Sequence, residues 1–365
     1  MAALHVVEAV EPATEPAKKR PPRKIRAFTI DDWFSTIGSL LASLALVWIV
    51  YDHILDGSGI LGFAVCWYMA FLIVYAAVAS VSNPRHIVVD RMVTVSLYIA
   101  AAIVIGALAS TVIYTFFEGW RAFVHANFFT HDMSAVSPTA PLNQGGILHA
   151  IVGTIIEVGI AVAVSVPLGV GTAVYMTEVG GRGSKLVRTV VEAMTALPEI
   201  LAGLFIYVVL IVGFGMSKSG LAVSAAMAVT MVPIIARASE VALRVVPSGL
   251  REASSALGAT HWYTVRKVVL PSALAGLGTA VILAIARGIG ETAIPLICSG
   301  ASSFLNFNPS GVPMNSLPLF IYTAYTTHEP GAIIRAFGAA SVLLTMVLAL
   351  FVAARFLLRD KSARR

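Results

Sequence analysis

The chain has 365 residues, of which 58% are hydrophobic and 12% are charged. Because soluble domains carry roughly a quarter charged residues, this composition excludes an ordinary soluble protein. The formal net charge of +6 does not indicate nucleic-acid binding. The Lys and Arg residues gather near the two chain ends and in three connecting loops, as expected for charges that orient a chain in a membrane.

The first 28 residues are rich in Pro, Ala, Glu and Lys and close with a run of basic residues. They contain too little apolar surface to form a packed core. We therefore predict a disordered, basic cytoplasmic tail over residues 1–28.

Eight apolar segments follow, most of them close to the roughly 20 residues that a helix needs to cross a bilayer. They predict an all-α fold, a polytopic membrane helical bundle with about eight transmembrane helices. The long segments 118–146 and 300–330 are expected to be outer loops. The predicted spans are Phe34–Asp52, Gly59–Ser80, Thr94–Phe117, Leu148–Tyr175, Ala193–Phe214, Leu221–Ala236, Ala273–Cys298 and Ile333–Ala354.

The distribution of basic residues predicts the orientation of these spans. With the N-terminus inside, nearly all of the 25 Lys and Arg residues fall in the tails and inner loops. The inverted arrangement would place them outside, against the positive-inside rule. We expect a multi-pass protein of the cell membrane with both termini in the cytoplasm.

The inner loop between the sixth and seventh spans predicts a short helix. Ser248 is a candidate N-cap, and Gly258 is placed to end the helix about nine residues later. Thr260 is expected to cap a second short helix, His261–Val269, which Pro271 would end before the next span. A small helix of this kind is suited to docking in a groove of another protein. The face of the first helix predicted to dock contains Leu250, Ala253 and Leu257, with Arg251 and Ser255 off it.

The spacing within this loop, residues 237–271, carries a family resemblance. Glu252-Ala253-Ser254, then Gly258 after three residues, then Val268-Val269-Leu270-Pro271 after nine, resembles the EAA loop of ABC-importer permeases. Ser254 and Val268 stand where that loop has Ala and Ile. In this family the short helix couples the membrane subunit to its ATPase. The resemblance implies coupling roles for Leu250, Arg251, Glu252, Ala253, Leu257 and Gly258.

Three flanking segments, 237–247, 286–296 and 315–322, are similar to the PstA permeases of phosphate importers. The resemblance covers the six spans of residues 94–365, and it implies a type I ABC-importer permease core preceded by an additional helix pair, residues 29–93. It also implies inorganic phosphate as substrate, transported through a pathway shared with a second permease. The implied protein partners are a homologous permease (PstC-like), an ATPase dimer (PstB-like) and an extracytoplasmic phosphate-binding protein (PstS-like).

The sequence lacks the motifs for nucleotide binding, for catalysis and for metal binding. No G-x-x-x-x-G-K-[ST] occurs, so we expect a partner subunit to use the ATP and this chain to bind no cofactor. No catalytic constellation and no metal-ligand spacing of Cys or His is present, so we expect neither an enzyme nor a metal site.

Arg287 is the leading candidate for the substrate pathway. It is predicted near the middle of the seventh span, where insertion of an arginine costs roughly 2.5–3.5 kcal/mol, so it should face protein or water. Glu291 is predicted one turn further on the same helix face, as an i,i+4 pair. Arg237, in the first resembling segment, is a further pathway candidate. From the residues alone, a structural ion pair remains an open alternative.

Two acidic residues, Glu157 and Glu199, stand where the family pattern has uncharged residues. Either can be a buried counter-charge for Arg287, or a sign of a different substrate or of proton involvement. Two alternative functions therefore stay open. One is a permease for another oxyanion such as sulfate, molybdate or phosphonate, and the other is a non-transport membrane scaffold or sensor.

Overall fold

The computed structural model describes residues 30–54 and 59–362. Within these residues the chain is helical with irregular connections, and no β-strand forms beyond one isolated bridge between Gly300 and Met314. The predicted all-α class is confirmed. The predicted tail, residues 1–28, lies outside the described residues.

The described residues form helices α1 to α14. In chain order these are Ile30–Trp48, Ile60–Ser82, Arg85–Phe123, Asn127–Thr130, Leu148–Val174, Gly181–Thr195, Glu199–Ile206, Gly220–Arg244, Ser248–Ala256, His261–Thr264, Leu270–Ile289, Ala293–Cys298, Leu317–Thr326 and Pro330–Ser362. Wider π-helical turns continue four of them, over Ile49–Ile54, Tyr175–Val179, Tyr207–Gly213 and Val265–Val269.

Seven helical stretches of the described chain are long and apolar enough to cross a membrane, and a bent pair makes a possible eighth. The prediction of about eight spans is confirmed. The bent pair joins Gly181–Thr195 to Glu199–Gly213 at an angle of 101°. The predicted straight span from Ala193 is therefore wrong at its start, because Pro198 lacks an N–H and keeps the residue before it out of the helical conformation.

The seventh predicted span, and the segment that joins it to the eighth, also differ from the prediction. The segment predicted as one helix, Ala273–Cys298, is broken between Ile289 and Ala293. The segment 300–330, predicted as an outer loop, contains α13, whose Leu317 and Leu319 are fully buried. Pro318 at the start of α13 is compatible with a helix, since the first turn has no use for its missing N–H.

The chain divides into two compact units, Met1–Gly106 and Ala107–Arg365, with the boundary inside α3. In the first unit α1 packs against α2, and the buried rings of Phe71 and Tyr75 stack with centroids 5.7 Å apart. The prediction of an additional pair over 29–93 and a core over 94–365 stays a prediction.

The second unit is organised around α8, which packs against α5 and α11. Small residues allow this close approach, as is common between membrane helices. A Cβ atom added to Gly169 on α5 would lie 2.7 Å from the Ile235 side chain. One added to Gly276 on α11 would lie 2.6 Å from the Cβ of Ala242. The functional candidates lie around this packed centre.

Candidate functional site

The short helix predicted in the inner loop is α9. It begins after Pro247, whose backbone is extended, so Pro247 takes the N-cap position predicted for Ser248. Its last residue is Ala256, and the chain turns away from the helix at Gly258, which has a φ of +79°. The Gly258 N–H donates to the Ser255 carbonyl at 2.9 Å and the Ala259 N–H donates to the Ser254 carbonyl at 3.2 Å. This bonding pattern is a Schellman motif, and its left-handed residue favours glycine.

One face of α9 is anchored to the rest of the second unit. The Arg251 guanidinium forms an ion pair with Glu178, with Nη2 and Oε1 2.8 Å apart, and its Nη1 donates to the Val246 carbonyl at 2.9 Å. The Ser254 hydroxyl lies 2.8 Å from the Thr264 hydroxyl. Arg251, a predicted coupling residue, is therefore turned inward, where it fixes the position of α9.

The opposite face of α9 projects outward. Leu257 is 89% exposed and Leu250 is 42% exposed, with Glu252 and Ala253 exposed beside them. Exposed leucines on a helix that is held from behind form an apolar contact surface. We call Leu250, Glu252, Ala253 and Leu257 the α9 outer face.

The second short helix of the loop does not end at Pro271. The chain is helical from His261 to Ile289, through the π-helical turn Val265–Val269. Thr260 caps its start as predicted, with its side chain accepting from the Tyr263 N–H at 3.3 Å. Pro271 sits in the first turn of α11, where a missing N–H is tolerated, and this corrects the predicted break. The anchor of α9 is thus continuous with a spanning helix.

Arg237 belongs to a cluster of charges at the end of α8. The side chain of Glu240, 3% exposed, accepts from Arg188 at 2.6 Å, from Arg244 at 2.7 Å and from Arg237 at 3.2 Å. Arg237 also lies 3.3 Å from Glu192. These pairs tie α6 to α8, so the structure places Arg237 in an interhelical network rather than beside Arg287.

Arg287 lies in the last turn of α11, not in the middle of a longer span. Its Nη2 is ion-paired with Oε1 of Glu199, the first residue of α7. The Arg287 side chain is 55% exposed and that of Glu199 is 31% exposed. Of the two candidate counter-charges, Glu199 is the one that contacts Arg287, and it does so from a partly exposed position rather than a buried one.

The predicted helical pair between Arg287 and Glu291 is wrong. α11 ends at Ile289, and the Glu291 carboxylate accepts from the N–H of Ala293, the first residue of α12, at 3.0 Å. The chain breaks here because Gly290 disfavours continuation of the helix, and because a carboxylate beside the first N–H of α12 stabilises the new helix start.

Glu157 is fully buried on α5 and lies away from this pair. Its Oε1 accepts from the Ser299 hydroxyl at 3.4 Å, and its Oε2 has no hydrogen-bond partner among the described residues. Glu199, not Glu157, is therefore the observed counter-charge of Arg287. The partners Glu178 and Glu199 are separated from their arginines by at least 73 positions, a distance at which residue spacing carries no pairing signal.

Comparisons with known proteins place these features in a family. The family described as "Binding-protein-dependent transport system inner membrane component" matches residues 165–364. The chain is 39% identical over 249 residues to "Phosphate transport system permease protein PstA 1" of Mycobacterium tuberculosis (strain CDC 1551 / Oshkosh), covering 68% of this chain and 81% of that protein. It is 38% identical over 231 residues to "Phosphate transport system permease protein PstA" of Mycobacterium leprae (strain TN), covering 63% and 75%.

Among solved structures, the chain is similar to "Inward facing conformations of the MetNI methionine ABC transporter: CY5 SeMet soak crystal form". Its chain is 25% identical to this one with a TM-score of 0.47, over 59% of this chain and 94% of that chain.

The spanning helices and the projecting α9 define a multi-pass membrane permease. The chain belongs to the family of binding-protein-dependent transport system inner membrane components. The resemblance to phosphate-importer permeases drawn from the sequence is confirmed by the relatives. Membership implies an ATPase and a substrate-binding protein as partners.

Proposed function

We propose that this chain is the transmembrane permease subunit of an ATP-driven importer of inorganic phosphate and forms half of the translocation pathway. The names of its relatives, phosphate transport permeases, support this substrate. The observation that carries the proposal is the half-exposed Arg287 guanidinium, held by a single carboxylate at the junction of three helix ends.

The chemistry of Arg287 suits a phosphate oxyanion. A guanidinium presents N–H donors in a planar fork that matches two oxygens of a tetrahedral anion. Glu199 competes for the same donors and repels an anion, so the pair has to open when phosphate passes. Both side chains are partly exposed, and such a pair contributes only about 0–1 kcal/mol, which makes the opening inexpensive.

The α9 outer face is the proposed dock for an ATPase dimer (PstB-like). Closure of that dimer would push α9, and the Arg251–Glu178 pair would transmit the movement to the end of α5. A homologous permease (PstC-like) would supply the other half of the pathway, and an extracytoplasmic binding protein (PstS-like) would deliver phosphate. Rigid-body tilting of packed helices is an established way to alternate access.

The orientation of the chain and the subunit that uses ATP both follow from this proposed role. It places α9 and both termini in the cytoplasm, in line with the basic inner loops. ATP would be bound and hydrolysed by the ATPase, while this chain would bind no cofactor and no metal and contain no catalytic site.

The test is uptake of labelled phosphate by cells that produce variants of the chain. Arg287→Gln keeps a planar amide but removes the charge, and it is expected to lower the uptake rate about tenfold or more, equivalent to at least about 1.4 kcal/mol. Arg182→Gln, at an exposed position on α6, is the matched control and should leave uptake unchanged. Copurification of the ATPase checks assembly, and an unaffected uptake rate in Arg287→Gln would leave Arg287 as a structural ion.

The same assay separates the remaining alternatives. Strong competition by unlabelled sulfate, molybdate or phosphonate, with weak competition by phosphate, would point to another oxyanion. Purification without an ATPase, together with normal uptake after deletion, would point to a scaffold or sensor.

A further inference from the structure

A cavity of about 500 Å³ lies at the end of α5 remote from α9. α5 has 27 residues and is about 40 Å long at 1.5 Å per residue. His149, in its first turn, lines the cavity, whereas Glu178, which binds Arg251, follows its last turn. The remaining walls come from Met133, from residues 135–138 and 301–303, from Asn315, and from α13 and α14. The cavity is therefore separate from the Arg287–Glu199 pair.

Arg335 on α14 presents a buried positive charge to this cavity. Arg335 as a whole is 1% exposed, and its Nη2 donates to the carbonyls of Ala140, Pro141 and Gln144 at 2.8–3.0 Å. Its Nη1 has no hydrogen-bond partner in the described part of the chain, and the ion pairs found there do not include it. Because buried charges are normally paired, this guanidinium calls for an anion.

His149 is a second buried polar group of the cavity wall. It is 2% exposed, and neither ring nitrogen has a partner among the described residues. Its ring packs edge-to-face on Phe320 with centroids 5.5 Å apart, which fixes the plane of the imidazole. A neutral imidazole always has one N–H to donate, so His149 adds a hydrogen-bond donor to the charge of Arg335.

Asp132 is the negative group that acts electrostatically on His149, and its carboxylate is already occupied. It accepts from the Ser134 N–H at 3.1 Å and the Leu305 N–H at 2.8 Å. Burial alone would raise the pKa of Asp132, but these backbone hydrogen bonds hold it below its ordinary value. Asp132 does not line the cavity, so its charge stays in the loop and leaves Arg335 uncompensated.

Both loops that close the cavity contain a residue in a strained conformation. Ala135 has a φ of +56° and Ala301 a φ of +50°, a region that favours glycine, and both line the cavity. Such conformations persist only where the surroundings fix them, and they concentrate at ligand sites.

We propose that this cavity binds one small inorganic oxyanion of the phosphate type, between Nη1 of Arg335 and the imidazole of His149. The site is additional to Arg287 and does not depend on the transport role proposed for that residue. The same chemistry would suit a carboxylate side chain of a docking protein, so the experiment separates a free anion from that source.

The test uses the purified permease–ATPase complex in nanodiscs of phosphatidylcholine, without the binding protein and in an Arg287→Gln background. Equilibrium dialysis with labelled inorganic phosphate should show saturable binding at one site per chain. Arg335→Lys keeps the charge but loses the fork, and it is expected to weaken binding about tenfold or more. His149→Phe keeps the contact with Phe320, removes the donor and should weaken binding about fivefold.

The control is Thr326→Val, on α13 but outside the cavity, whose hydroxyl donates to the Tyr322 carbonyl and which should leave binding unchanged. His149→Phe keeps the test decisive if Arg335→Lys does not assemble. No saturable binding, or equal binding in both variants and the starting complex, would overturn the proposal. A separate pull-down with added binding protein gives the remaining outcome: variants that weaken its docking while labelled phosphate fails to bind would also overturn the proposal, since the cavity would then accept a protein carboxylate. Loss of transport in Arg287→Gln is a separate result and does not affect these outcomes.

Discussion

Two arginine–glutamate pairs in the second unit use the same chemistry in different surroundings. In the Arg251–Glu178 pair the side chains are 28% and 4% exposed, and Arg251 also donates to the carbonyls of Val246 and Leu243. In the Arg287–Glu199 pair they are 55% and 31% exposed, and no other hydrogen bond of Arg287 is found among the described residues.

This difference indicates how one type of contact serves two purposes. The Arg251–Glu178 pair is costly to open, because the freed Glu178 carboxylate, 4% exposed, would lose its partner out of reach of water. An exposed pair opens at little cost, because water replaces the lost contact. We infer that the first pair is a fixed joint of the coupling helix and the second a releasable contact in the pathway.

Gly258→Asp is expected to have the largest effect, because it disrupts the left-handed turn after α9 on which the fixed joint depends. It is expected to abolish phosphate uptake while the chain still inserts, because it strains a residue at φ +79° and adds a charge beside the α9 outer face. Gly258→Ala is the control for backbone strain: it strains the same residue by roughly 1–2 kcal/mol, but its Cβ would meet no atom within 4 Å and it adds no charge, so it should keep most uptake. Normal uptake in Gly258→Asp would remove the coupling role of α9.

Arg251→Ala removes one partner of the Arg251–Glu178 pair. It leaves the buried Glu178 without its ion-pair partner, so the free energy of unfolding should fall by about 3 kcal/mol and transport-dependent ATP hydrolysis should fall with it. Denaturant unfolding in detergent and ATPase assays of the complex measure the two effects.

The double variant Arg251→Ala/Glu178→Ala is the matched comparison for this experiment. It removes both charges and should recover part of the stability but not the coupling. If it were no more stable than Arg251→Ala alone, the pair would not be the source of the loss.

Glu199→Gln tests the Arg287–Glu199 pair and is expected to have the smallest effect of these variants. Stability should change by no more than about 1 kcal/mol, because the pair is partly exposed. Removing the competing carboxylate should lower the KM for phosphate uptake by about fivefold, equivalent to about 1 kcal/mol. Uptake measured over a range of phosphate concentrations checks this, and a raised KM would show that Glu199 positions Arg287 rather than competing for it.

Local patterns predicted much of this fold from the sequence. Long apolar runs identified the spanning helices, and the loop spacing identified α9 with its end at Gly258. The start of α9, the break after Ile289 and the helix α13 were missed. At each of these places proline or glycine is compatible with both a helix end and a helix start, and packing chooses between them.

By itself, the sequence determined that the chain crosses a membrane, which loops carry the positive charge, and that the loop between the sixth and seventh predicted spans contains a short helix followed by glycine. These features depend on composition and on residues within a few positions of each other. Only the tertiary structure decided which glutamate meets which arginine, that Arg251 faces inward, and that Arg335 and His149 line one cavity. Those contacts join residues far apart in the chain, and the packing of α5, α7, α11 and α14 is what brings them together.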